Sequence, residues 1–328
     1  MHADSLSLSR RQFAAGAAGL TALTLAGRDA AAQIATPIAT TEATRTFIDD
    51  RGAEIAVPAD PQRVVTLDTP YLDLCLLLGI TPVGGVSGRS LSTWSVVIEA
   101  IANGMVDLGS APEIDLEVIT SLKPDLIIGG VFNADRGHDQ LAQIAPTFFA
   151  GQVNANWRER MAYAASMLGH EADWQILDDT YATDLEAARQ NLPAEVQGAK
   201  ISHVRAMPDA LRYQTSKHFI GEVLDALGFD IVQGEDADDR TREISFEQIR
   251  DLDAEYLFLV IDGEPDENTL YQELITNDLW LQLEAVKQGH VYEVNAQAWL
   301  ELRGYSAAYT VFEDLAAIFT QDAATPTA

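Results

Sequence analysis

Apolar positions along this chain fall into two alternating rhythms, a helical one and short unbroken runs, and one such pairing occurs twice. In "IDLEVITSLKPDLII", beginning at Ile114, the residues Leu116, Ile119 and Leu122 lie on one helical face. In "ISFEQIRDLDAEYLFLV", beginning at Ile244, Phe246, Ile249 and Leu252 do the same. Asp115 and Ser245 stand where helix N-caps belong, and Ser245 with Gln248 has capping-box spacing. Each helix leads into a short apolar run, "DLIIGG" and "EYLFLVID", of the length and composition of a buried parallel strand. A glutamate, Glu117 or Glu247, occupies the same place in both copies, turned away from the apolar stripe. An acid in the first turn favours the helix dipole, which alone accounts for one such residue.

A second repeat precedes the first in each half. "RVVTLDTPYLDLCLLLGITPVGG" reads strand, loop, helix, strand; "KISHVRAMPDALRYQTSKHFIGEVLDALGFDIV" reads the same way with a longer loop. Gly79 and Gly228 each end an apolar helix at C′. Strands alternating with helices predict parallel α/β sheets, here in two Rossmann-like lobes with separate cores, an N-terminal one over 46–168 and a C-terminal one over 199–321. Between them, 169–198 holds a linker helix. From Glu171 to Asn191 neither Pro nor Gly interrupts, and Trp174, Leu177, Tyr181, Leu185 and Ala188 recur at helical spacing. One stiff helix between the lobes allows only small closure. Ligands of such paired lobes bind in the cleft at the carboxyl ends of the strands.

The front of the chain reads differently. Arg10 and Arg11 precede a weakly apolar Ala/Gly/Leu run too short for a stable membrane span, and "DAAAQ" offers a small-x-small cleavage site after Ala32. Residues 1–32 thus resemble a twin-arginine signal peptide, which exports folded proteins, and 33–45 reads as a disordered leader. The expected location is periplasmic or otherwise extracytoplasmic. With no cysteine behind the apolar run, a lipid anchor is not expected there. Cys75, the sole cysteine, sits in an apolar helix and reads as a core residue; it allows no internal disulfide and no cysteine-held metal or cluster. A net charge of −29 disfavours nucleic acid. The six histidines show no paired metal spacing, and neither a dinucleotide or phosphate loop nor a nucleophile elbow is present, so the reading is of a binding protein and not an enzyme.

The pieces "RVVTLD…LLLGITPVG", "VDLGSAPEIDLEVITSLKPDLIIG", "DQLAQIAPTFF", "ISFEQIRDLDAEYLFLV" and "LWLQLEAVKQGHVYEVNAQAW", in this order behind an export signal, resemble the iron–siderophore substrate-binding proteins of bacterial and archaeal ABC importers. These are periplasmic binding proteins with a single-helix backbone, a class that includes vitamin B12 and haem binders. The resemblance covers nearly everything after about Thr46. It implies a monomer that takes up a ferric siderophore, with the iron held by the siderophore, with no cofactor and no metal ligated by the protein. It also implies a partner, the permease dimer, onto whose arginines Glu117 and Glu247 dock, one from each lobe.

Ligand residues are expected in loops after strands: Arg89 and Trp94 after "TPVGGV", Arg136 in "FNADRGHDQL", Arg205 at the end of "ISHVR", Arg212 and Tyr213 in the loop beyond, and Trp299, Arg303 and Tyr305 after "HVYEV". Arginine forks grip carboxylate and hydroxamate oxygens, and aromatics pack on a chelate's carbon skeleton. For any one arginine the alternative is a solvated charge or a structural ion pair; for Trp94 and Trp299 it is core packing. "GSAPEID" has small or acidic residues where some hydroxamate-binding relatives carry an arginine. Citrate-type or mixed carboxylate–hydroxamate chelates are therefore favoured. Two other readings stay open: a haem or cobalamin binder, with Tyr213, His203 or His218 as axial ligand for haem, and an exported α/β enzyme.

Overall fold

The computed structural model describes residues 43–49, 51–87, 95–109, 115–130, 137–149, 156–232 and 240–324. The signal segment and nearly all of the leader lie outside them. The described chain opens with an antiparallel hairpin, β1 (Thr44–Ile48) and β2 (Glu54–Pro58). Its turn is tied by Asp49, whose Oδ1 accepts from the backbone N–H groups of Arg51 and Ala53 at 2.9 and 2.8 Å.

The N-terminal lobe follows as β3 (Val64–Thr66), α1 (Thr69–Leu77), β4 (Gly84–Gly85), α2 (Ser95–Ala102), β5 (Val106–Asp107), α3 (Leu116–Leu122), β6 (Leu126–Gly129), α4 (His138–Leu141), β7 (Thr147–Phe149) and α5 (Trp157–Leu168). Its sheet has the order β5-β4-β3-β6-β7, and every pairing is parallel. Asp115 caps α3 as the sequence predicts, accepting from Glu117 N at 2.8 Å and Val118 N at 3.2 Å.

The linker is one helix, α6 (Glu171–Asn191), of 21 residues. At 1.5 Å per residue it is ~30 Å long, the diameter of a small domain. Its buried face carries Asp178 and Tyr181.

The C-terminal lobe comprises β8 (Lys200–Ala206), β9 (Leu211–Gln214), α7 (Phe219–Ala226), β10 (Asp230–Ile231), β11 (Thr241–Ile244), a 3-10 helix Phe246–Leu252, β12 (Tyr256–Ile261), α8 (Thr269–Thr276), α9 (Glu284–Gln288), β13 (Val291–Glu293), a π-helical turn Gln297–Glu301 and α10 (Tyr305–Ala324). The order is β11-β9-β8-β12-β13, with β10 also on β8. β8, β10, β12 and β13 are parallel; β9 alone runs the other way, pairing antiparallel with both β8 and β11. A turn after β8, closed by Met207 N to Ala210 O at 2.9 Å, sends the chain straight back. The segment read as a long loop is therefore strand β9, and Arg212 and Tyr213 are strand residues. The second sequence repeat also winds more tightly than the first: Gln248 N reaches Ser245 O at 3.0 Å, a 3-10 contact, while Gln248 Oε1 accepts from Ser245 N at 3.1 Å.

The cores are not separate. One cluster joins Val64, Leu126 and Phe148 of the first lobe, Tyr181 of the linker, and Ile201, Phe258, Val311 and Phe319 of the second. Each sheet keeps a smaller private cluster on its other face, around Val65, Ile127 and Phe149 in the first and Val204, Leu257 and Trp280 in the second. The reason is that both sheets are apolar on both faces, and one face of each turns toward α1, α5, α6, α7 and α10. Cys75 is fully buried in the shared cluster, and burial pushes its thiol up to about 12. Gly221 is needed where α7 meets the preceding turn, because a Cβ there would lie 2.0 Å from Thr215 O.

Candidate functional site

The carboxyl ends of the central strands bring together residues from both lobes. β3 ends at Thr66 and the chain passes through Leu67 to Asp68, the N-cap of α1. Asp68 Oδ1 accepts from Thr69 N at 2.9 Å and from Arg303 Nη2 at 2.5 Å. Arg303 follows the π-helical turn of the other lobe. The seam continues beside this ion pair. Thr69 Oγ1 donates to Glu301 O at 2.6 Å, and Asp73 Oδ2 accepts from Ser306 N at 3.1 Å, so an N-lobe carboxylate meets the first turn of the C-lobe helix α10. Asp73 is 3% exposed, and burial pushes its carboxyl up to about 6 despite the hydrogen bonds from Ser306 and Tyr305.

In the C-terminal lobe, Arg205 ends β8 and forks onto Asp262, at the end of β12, at 2.8 and 2.7 Å. Arg212 stands opposite Arg205 on β9 and reaches Glu243 on β11 at 3.2 Å. These arginines are thus already paired with carboxylates before any ligand arrives. Further cations gather around His218, the N-cap of α7, whose side chain accepts from Ile220 N at 3.3 Å. Burial holds the His218 imidazole well below its usual range, and the charges of His203, Arg303, Arg240 and Arg160 push the same way. His203, 2% exposed on β8, is pushed down to about 3 by burial and then by Arg205. Both its ring nitrogens lack a hydrogen-bond partner among the described residues.

The aromatic expectations fare differently from the arginines. Trp299 is fully buried, stacked on His203 with centroids 5.7 Å apart, and its indole N–H donates to Asp314 at 2.8 Å. Tyr305 is also fully buried; its hydroxyl donates to Asp178 at 2.8 Å and accepts from Trp174 Nε1 at 2.9 Å. Tyr213 points from β9 into the private cluster of its lobe, on the sheet face opposite Arg212, because successive strand residues alternate. These three side chains are buried among core residues, Trp299 and Tyr305 in the shared cluster and Tyr213 in its lobe's private one. Arg89, Trp94 and Arg136 lie outside the described residues.

Sequence reasoning passed over Arg160, Arg240 and Asp68, and named His218 only as a haem ligand. Arg160 sits inside helix α5, where a charge reads as solvated, and Arg240 closes an acidic stretch. Only the convergence of α5, α7 and β11 places both near His218. Asp68 carried a usable signal, since it directly follows a predicted strand.

Glu117 and Glu247 are both exposed, and neither has a hydrogen-bond or ion-pair partner among the described residues. Each lies in the first turn of a helix that runs back to the start of a central strand, β6 or β12, which puts both on the strand-carboxyl side of their sheets. An open cavity of about 550 Å³ lies beside the linker, lined by Trp157, Arg158, Trp174, Asp178 and Glu222 among others. None of the residues expected to hold ligand lines it. Among the described residues no group of three His, Cys, Asp or Glu could hold a metal ion.

Comparison with known proteins places this geometry. The family model described as periplasmic binding protein matches residues 64–298. The probable siderophore-binding lipoprotein YfiY of Bacillus subtilis is 29% identical over 84% of this chain and 88% of its own length. The Fe(3+)-citrate-binding protein YfmC of the same organism is 30% identical over 82% of this chain and 84% of its own. Among solved structures, Staphylococcus aureus SirA complexed with staphyloferrin B superposes with a TM-score of 0.75 at 24% identity, covering 84% of this chain and 99% of that one, a likeness of fold.

Proposed function

This chain belongs to the periplasmic binding protein family, and on that premise we propose that it captures a ferric siderophore outside the cytoplasm and delivers it to an ABC importer. A citrate-type or mixed carboxylate–hydroxamate chelate is the favoured cargo. The observation that carries this reading is the gathering of Arg303, Arg160 and Arg240 around His218, with Arg205 near the carboxyl end of β8, in a chain with 21 basic residues against 50 acidic ones. Guanidinium groups suit carboxylate oxygens of a chelate. YfmC, whose name records Fe(3+)-citrate binding, supports the same class.

In this reading the protein is a monomer without catalytic activity. The chain is organised as a twin-arginine signal over 1–32, a leader over 33–45, lobes over 46–168 and 199–321, and a linker over 169–198. Arg89 and Arg136 complete the ligand set from the first lobe, and Glu117 and Glu247 dock onto permease arginines.

Tryptophan fluorescence titration with ferric citrate, a ferric tris-hydroxamate, a ferric tris-catecholate and haemin tests it. Saturable quenching by ferric citrate, absent with citrate alone, is the expected result. Tight binding of the tris-catecholate without citrate would refute the chelate class. A Soret band with haemin would refute the siderophore reading altogether.

A further inference from the structure

Asp68 and Arg303 come from different lobes, and each is held in place by something besides the other. Asp68 caps α1 through Thr69 N at 2.9 Å. Gly130, at the end of β6, leaves no room for a side chain there, since a Cβ would lie 1.9 Å from Asp68 Oδ2. Arg303 has a left-handed backbone, φ 54°, which a non-glycine residue adopts only when its surroundings enforce it. That strained link between the π-helical turn and α10 carries the guanidinium to Asp68. The side chains retain 27% and 14% exposure, so solvent reaches the pair at the carboxyl ends of β3 and β6. Arg205 and Arg212 take their carboxylates from within their own sheet, whereas here the acid is supplied by the opposite lobe.

We propose that Asp68 is a specificity-determining residue that sets the charge of chelate the cleft accepts, an inference that rests on the cleft being a ferric-chelate site. Asp68 occupies one donor of Arg303 in advance. An incoming carboxylate takes that donor from Asp68 or sits beside its negative charge, and either way the protein's own acid opposes it. Chelates with many unshielded anionic groups are penalised; those whose carboxylates are mostly spent on iron are favoured. Asp68 touches no reacting group, and its role is exerted through Arg303.

The test compares wild type, Asp68→Asn and Asp68→Glu. Asparagine keeps an oxygen for Thr69 N and nearly the same volume beside Gly130, but removes the charge. Dissociation constants for ferric citrate and for a ferric tris-catecholate, both anionic, are measured by tryptophan fluorescence at low and high ionic strength. Thermal melts establish that each variant is folded. Asp68→Asn is expected to bind at least about tenfold more tightly at low salt, a gain of about 1.4 kcal/mol. That gain should shrink as salt screens the site, and Asp68→Glu should stay close to wild type. Unchanged or weaker binding by a folded Asp68→Asn protein overturns the proposal, and so does a change indifferent to salt, which would mark mere loosening of the seam. Wild type that binds some ferric chelate without such a gain in Asp68→Asn refutes the discriminator alone. Wild type that binds no ferric chelate refutes the functional reading and the discriminator with it.

Discussion

Asp73 shows how one buried carboxyl ties the lobes together and what that costs. Its carboxyl is at about 6 in the fold against 3.8 as the ordinary value. The folded state therefore binds a proton that the unfolded chain has released between those values. The stability this proton brings is fully present below 3.8 and is lost as pH rises to about 6. The loss is on the order of 2–3 kcal/mol at 1.36 kcal/mol per unit. Asp73→Asn removes the titration and keeps an acceptor for Ser306 N. In urea unfolding, the stability of wild type minus that of Asp73→Asn is expected to fall by that amount between about pH 4 and 6.5, then level off. A difference that grew with pH would contradict the assignment. Asp73 was invisible in the sequence, where "YLDLC" places it in an apolar helix without showing what it faces. Cys75, two residues on, was legible because a lone apolar-flanked cysteine has one common fate. The fates of Tyr213 and Trp299 were not, since strand pairing and the π-helical turn decide which way each ring points.

Among the elements, the linker was the most legible and also makes the sharpest prediction. Twenty-one residues free of Gly and Pro with an apolar stripe leave little alternative to a helix. Ala182 is exposed on α6, next to the buried Tyr181. Ala182→Gly should cost about 1 kcal/mol and Ala182→Pro about 3 or more, although neither removes a core contact. Circular dichroism melts of both would check the order; equal effects would mean that the helix carries little of the fold. Where the sequence misled, it did so through hairpin chemistry. Pro208 and Asp209 form a turn that was read as the start of a loop, so β9 went unrecognised and Arg212 was assigned to a loop. The 3-10 winding of Phe246–Leu252 has the same apolar spacing as an α-helix over one or two turns, and no pattern of that length separates them.

At the scale of the whole molecule, Glu117 and Glu247 present one acid on each lobe, unpaired among the described residues, on the strand-carboxyl side. If they dock, Glu117→Ala or Glu247→Ala lowers import by the reconstituted transporter, and the double variant lowers it further. A buried charge pair cut in half can cost about 2–5 kcal/mol at an interface. Ligand affinity of the isolated protein should not move, and stability should fall by no more than ~1 kcal/mol, the worth of a helix-dipole partner. Normal import by the double variant would leave only the dipole role. The two-lobed α/β architecture was legible because the repeats have opposite rhythms, helix then strand, in a fixed order. The shared core was not, because periodicity marks a face as apolar without naming what covers it. That core also sets an order of manufacture. Val311, Leu315 and Phe319 sit in the same cluster as Val64, Leu72 and Phe148. A ribosome releases the first lobe's strands long before it makes α10. The part of the first lobe's inner apolar face that α1 and α5 do not cover therefore stays open until the later helices, α10 last, emerge.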